Sequence, residues 1–105
     1  MIKSIKDLEF GGKMYIILVY DIKQVDNFAR VQRYVYKICK RYLVHVQNSV
    51  FEGEITVSNL IKLKEELKRY LRCDLDSCII FKSRNKKWLD KEFVSNEMED
   101  NIQFS

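Results

Sequence analysis

Residues 14–20 read MYIILVY, seven consecutive apolar side chains rich in β-branched and aromatic types. A strand that alternates apolar and polar residues can lie with one face in water, whereas a strand without alternation needs both faces covered. This is the longest uncharged apolar run in the chain, and seven residues are far short of the about 20 that span a bilayer. The remaining sequence must therefore supply cover for both faces of one central strand. With 105 residues, 47% of them hydrophobic and 32% charged, the chain has the makings of one soluble domain with one modest core.

After Asp21 the period changes. Phe28, Val31, Val35, Ile38 and Tyr42 recur at helical spacing, which predicts a helix over residues 26–42 with Asp26 as its N-cap. Arg30, Arg33, Lys37 and the pair Lys40/Arg41 form a second, basic stripe on that helix. Residues 43–47 alternate, Asn48-Ser49 is turn chemistry, and residues 50–56 read as a strand that Gly53 bends, so a hairpin is expected. Ser58 is placed to cap a second helix buried through Leu60, Leu63, Leu67 and Leu71, with Glu65 and Glu66 pairing to Arg69 within it. Residues 74–77 make a turn, and residues 78–84 form a last strand that becomes basic as it emerges.

The order strand, helix, strand, strand, helix, strand belongs to the α+β class and specifies a ferredoxin-like βαββαβ fold, with both helices on one face of an antiparallel sheet. Two helices cover one face of the first strand and leave the other bare. A second copy of the chain is the simplest cover. Residues 1–13 read as an N-terminal extension, 14–91 as the domain, and 92–105 as an acidic tail. The alternating fragment Asn101-Ile102-Gln103-Phe104 in that tail reads equally as a strand added to a sheet edge, its own or a partner's, and as part of a disordered acidic end.

Charge is unevenly placed. The net charge of +4 conceals a tail, residues 92–105, with four acids and no Lys or Arg, which leaves +8 on residues 1–91. A basic body points toward a polyanion, although basic surfaces are often simply solvated. Arg30, Arg33, Lys37, Lys40 and Arg41 make one cluster able to meet phosphates, and Lys82, Arg84, Lys86 and Lys87 make another, with Trp88 beside it to stack on a base or pack on the sheet edge. Three cysteines, Cys39, Cys73 and Cys78, form no CxxC pair and read as three buried thiols in a reducing setting. With no apolar signal segment at the N-terminus, a cytoplasmic protein without membrane attachment is expected.

Asp21 is the main candidate for chemistry, because a carboxylate directly after the apolar run sits where a rigid strand meets solvent. An Asp there commonly starts a turn. A magnesium ion takes one or two carboxylates with water and phosphate oxygens, so Asp21 becomes a site when a twofold axis brings its symmetry mate beside it. His45, the single histidine, stands without the His or Cys partners a metal site needs, and with Ser49 the only hydroxyl near it in sequence a Ser-His-Asp triad is poorly supported; no Gly-rich phosphate loop exists, which removes NTPases and Rossmann dehydrogenases.

Three segments, MYIILVYDI (14–22), VQNSVFEGEIT (46–56) and KKWLDKEFV (86–94), resemble the small CRISPR-associated protein two, the non-integrase member of the spacer-adaptation pair. The resemblance implies a homodimer with facing sheets and an exchanged C-terminal strand. It implies magnesium or manganese bound by Asp21 and its dimer mate, with Tyr20 preceding the carboxylate and Phe51 as the aromatic of the SVFEG motif. Family members often carry Arg soon after the Asp; here the loop reads IKQVDNFAR, so Arg30 and Arg33 on the helix are the nearest counterparts. Two functions attach to the family: a metal-dependent nuclease acting on single-stranded RNA or duplex DNA, and a non-catalytic scaffold that bridges integrase subunits and holds a prespacer duplex. The two basic stripes and single candidate carboxylate per chain favour the adaptation role, with nuclease activity secondary. A toxin-like ribonuclease on the same fold is a weaker alternative.

Overall fold

The computed structural model describes residues 12–84 and 90–95. Six elements follow in the expected order: β1 (Lys13–Asp21), α1 (Phe28–Tyr42), β2 (Val44–Gln47), β3 (Val50–Thr56), α2 (Val57–Lys68) and β4 (Ser77–Ser83). The four strands form one antiparallel sheet in the order β2-β3-β1-β4, which places β1 inside the sheet between β3 and β4. This is the ferredoxin-like βαββαβ arrangement.

Both helices pack on the same face. Ile16, Leu18 and Tyr20 of β1 and Phe51 and Ile55 of β3 meet Val31, Val35, Ile38 and Cys39 of α1 and Leu60, Leu63 and Leu67 of α2 in one core. The period of two that sends Ile16, Leu18 and Tyr20 into this core sends Ile17, Val19 and Asp21 to the opposite face. There the register sets Val19 beside Ile79, Ile17 beside Phe81 and Asp21 beside Ser77. Ile79 and Phe81 are 52% and 58% exposed, and Val44 of the edge strand β2 is 67% exposed. Segment 90–95 touches this face where Lys91 pairs with Glu52. Among the described residues, the second face of the sheet foreseen from β1 is only partly covered: Tyr15 is buried there, Ile17 and Val19 are half-buried, and the most exposed side chains are on β4 and β2.

Several local expectations need correction. Helix α1 starts two residues later than the pattern suggested, and Asp26 does not cap it: the N-cap is Asn27, with φ 66° in the left-handed region and no capping side chain. Asn tolerates that conformation better than most residues. Helix α2 is capped by Thr56, whose hydroxyl accepts from the Asn59 amide at 3.1 Å, while Ser58 lies inside the first turn. Leu71 falls beyond the end of α2 but still packs against the core. Glu66 serves the other helix: it accepts from the Tyr42 hydroxyl at 2.6 Å and pairs with Arg41, tying α2 to α1. Of the cysteines, Cys39 is buried, Cys78 half-buried and Cys73 exposed, and all three are free. Burial pushes the Cys39 and Cys78 thiols up to about 12 and about 11. The expected strand at residues 101–104 lies outside the described residues.

Leu63 is fully buried while Ile61, two positions earlier, is half exposed. Leu63→Ala is expected to lower unfolding free energy by about 3 kcal/mol, and Ile61→Ala by well under about 1 kcal/mol, in urea titrations followed by circular dichroism.

Candidate functional site

Asp21 ends β1, is exposed, and lies on the uncovered face of the sheet. Its mounting is rigid because the residue before it is locked into the core. Tyr20 is 4% exposed, its amide donates to Ser49 O at 3.2 Å, and burial pushes its phenol up to about 12. The Tyr20 ring lies 6.1 Å from that of Phe51. Phe51 is fully buried and meets Tyr36 edge-on at 5.5 Å and His45 at 4.8 Å. Tyr20 and Phe51, read from the sequence as supporting residues, thus belong to one aromatic cluster behind the end of β1. His45 completes it and turns its Nε2 toward Asn48 O at 2.8 Å.

The backbone after Asp21 is held as well. Lys23, two residues on, donates its amide to Asp76 Oδ1 at 2.9 Å, and Asp76 immediately precedes Ser77, the ladder partner of Asp21. Arg72 grips the Asp76 carboxylate through Nε at 2.8 Å and Nη2 at 3.0 Å, and reaches the carbonyls of Lys23, at 2.9 Å, and Asp26. The Asp76 side chain has no exposed surface, and the Arg72 guanidinium holds its carboxyl down at about 2. The sequence pattern marks residues 74–77 only as a turn and does not show this pair. Its one local trace is the spacing Arg72-x-x-x-Asp76, while the loop carbonyls it reaches lie 46 and 49 residues away.

The basic stripe of α1 forms around tyrosines. Arg30 and Arg33 each lie 5.3 Å from the centre of the Tyr34 ring, Lys37 lies 6.0 Å from it, and Lys40 lies 5.8 Å from the Tyr36 ring. Tyr34 in turn stacks on Tyr70, with ring centres 4.6 Å apart and planes within 6°. Cations above a ring face are attracted by its negative quadrupole, so this arrangement keeps several like charges close together on one helix. The five cations of the stripe are all exposed, but Arg41 is committed to Glu66, and the Tyr42 hydrogen bond and that guanidinium hold the Glu66 carboxyl below its usual range.

The second basic cluster does not join the first site. Lys82 pairs with Ile16, five residues down the ladder from the Ser77–Asp21 pair. At strand spacing that separates Lys82 from Asp21 by about 17 Å. Lys82 and Arg84 are exposed. Lys86, Lys87 and Trp88 lie outside the described residues.

Among the described residues, no three His, Cys, Asp or Glu side chains gather as a metal-ligand group. The donor chemistry of Asp21, a hard carboxylate at an exposed strand end, fits magnesium or manganese as one half of a two-carboxylate set. Among the described residues, no helix is long and apolar enough to cross a membrane.

Comparison with known proteins places this geometry. The family model described as CRISPR associated protein Cas2 matches residues 14–91. The chain belongs to the Cas2 family. The Cas2 match takes in all six elements but the first residue of β1. A CRISPR-associated endoribonuclease Cas2 from Fusobacterium nucleatum subsp. nucleatum is 52% identical over 84 residues, covering 80% of this chain and 79% of that protein. A crystal structure of a Cas2 protein superposes with a TM-score of 0.69 at 40% identity, covering 81% of this chain and 90% of the other. Streptococcus pyogenes Cas2 superposes at 0.66 with 25% identity, covering 75% and 98%.

If the α1 stripe meets phosphates, each contact removed should take about one unit from the slope of log affinity against log salt. Arg33→Glu combined with Lys37→Glu is expected to weaken duplex binding and reduce that slope by about two, read by fluorescence anisotropy across a salt series. An unchanged slope would show that the stripe is ordinary solvated surface.

Proposed function

We propose that the chain works as a homodimer in CRISPR spacer acquisition, bridging integrase subunits and holding a prespacer duplex along its basic surface in the cytoplasm. The observation that carries this reading is the uncovered sheet face, where Ile17, Val19, Ile79 and Phe81 form an apolar surface with Asp21 at its end. A second copy laid on that face removes the exposed apolar surface from water and brings two Asp21 carboxylates to one side of the assembly. The pair would carry +16 over residues 1–91, twice the +8 of one chain. The tyrosine-held cations of α1 supply phosphate contacts that carry no sequence preference, which suits a protein that must accept spacers of any sequence.

A second reading, divalent-metal-dependent cleavage of single-stranded RNA or duplex DNA, is favoured by the exposure of Asp21 on that same face and by the endoribonuclease name of the relatives. A magnesium or manganese ion bound there would activate water and neutralise charge developing on the phosphate. The chain's part is to hold the ion between the two Asp21 carboxylates, with Tyr20 and Phe51 keeping the strand end fixed. The cations of α1 would draw in the nucleic-acid backbone.

Asp21→Asn separates the two readings. Divalent-dependent RNA cleavage is expected to fall to background while duplex binding and spacer integration with the integrase persist. Loss of integration together with cleavage would overturn the scaffold reading. Absence of cleavage in the unaltered protein, with integration intact, would leave the scaffold alone.

A further inference from the structure

The clamp between Arg72 and Asp76 does more than tie two loops together. It acts on both flanks of Asp21. On one side, Asp21 pairs in register with Ser77, the residue after Asp76. On the other, Lys23 is fixed through both backbone groups, its amide donating to Asp76 Oδ1 at 2.9 Å and its carbonyl accepting from Arg72 Nη2 at 2.9 Å. Arg72 also reaches Asp26 O, at the far end of the loop that joins β1 to α1. That loop needs outside support, because α1 begins at an uncapped Asn27 in the left-handed region. The other carboxylate oxygen secures Arg72 itself, since Asp76 Oδ2 accepts from the Arg72 amide at 2.8 Å and from Nε at 2.8 Å, and the carboxylate is fully enclosed. The planar fork of Arg serves two carboxylate oxygens and two carbonyls at once, a geometry that a lysine ammonium cannot reproduce.

We propose that Arg72 and Asp76 are positioning residues for the Asp21 metal site, fixing the strand end so that two symmetry-related carboxylates meet at the spacing one small ion requires. The proposal rests on the metal-site reading above and explains why such a clamp would matter there. In a site shared across a twofold axis, a displacement of one carboxylate away from the axis is repeated by its mate, so the error in their separation is doubled. Magnesium tolerates little such error, demanding near-octahedral geometry at about 2.0–2.1 Å, whereas calcium accepts irregular shells at about 2.3–2.6 Å. Loosening the clamp should therefore damage magnesium binding more than calcium binding.

The test measures magnesium and calcium affinities by calorimetry on the full chain, for the unaltered protein, Asp21→Asn, Arg72→Lys, Arg72→Gln and Asp76→Asn. Amide hydrogen exchange over residues 22–27 is read in parallel without metal. Magnesium affinity is expected to fall about 10- to 100-fold in each clamp variant, with calcium affinity falling less and duplex affinity unchanged. Exchange over residues 22–27 should rise in the same variants. Arg72→Lys, which keeps the charge and loses the fork, should behave like Arg72→Gln. Clamp variants that bind magnesium as the unaltered protein does, or that lose magnesium and calcium in equal proportion, would overturn the positioning role and leave the metal site standing. Divalent binding that Asp21→Asn does not alter would instead defeat the metal site itself, and the positioning role with it.

Discussion

A strand that is apolar on both faces, packed against a helix layer that covers one of them, sets the terms for the rest of this molecule. Ile16, Leu18 and Tyr20 are satisfied within the chain by Val31, Val35, Ile38 and Leu63. Ile17 and Val19 lie beside Phe81 and Ile79 of β4, which are themselves more than half exposed. Among the described residues, both helices are already used on the other face, so neither of them buries this apolar surface. In the proposed dimer the same deficit becomes the means of assembly, and the parity that turns Ile17 and Val19 outward turns Asp21 outward too. The site and the interface are two consequences of one strand.

Much of this was legible in the residues because the relevant signals are local and periodic. The unbroken run at 14–20, the three-and-four spacing from Phe28 to Tyr42 and the leucines at 60, 63 and 67 each specify an element and its buried face without reference to distant parts of the chain. The caps were less legible, since Asp26, Asn27, Thr56 and Ser58 all have capping side chains and the backbone decides among them. Least legible were the long-range polar ties. Glu66 had an intrahelical partner, Arg69, within reach in sequence, and it bonds Arg41 and Tyr42 across the helix interface as well as feeling that charge. Arg72 and Asp76 look like ordinary turn residues until the fold brings Lys23 beside them. No periodicity announces such contacts, because they follow from tertiary placement and not from the shape of any one element.

The basic helix face illustrates how charge can be concentrated without cancelling itself. Arg30, Arg33 and Lys37 repel one another at helical spacing, yet all three lie within reach of one tyrosine ring that is itself backed by Tyr70. The ring's quadrupole offsets part of that repulsion and leaves the cations at the surface, where they stay available to a polyanion. Arg41, by contrast, is drawn into holding the helices together through Glu66. One stripe in the sequence therefore divides into cations left exposed on the surface and one cation that ties the helices together.

Sedimentation equilibrium tests most directly whether a second copy of the chain closes the exposed apolar face of the sheet. A dimer joined through this face has a solution mass twice the 12.7 kDa of one chain, falling to that of one chain in a Phe81→Lys variant whose circular dichroism is unchanged. A folded, monodisperse species of 12.7 kDa for the unaltered protein, persisting at concentrations well above those used for nucleic-acid binding, would contradict it.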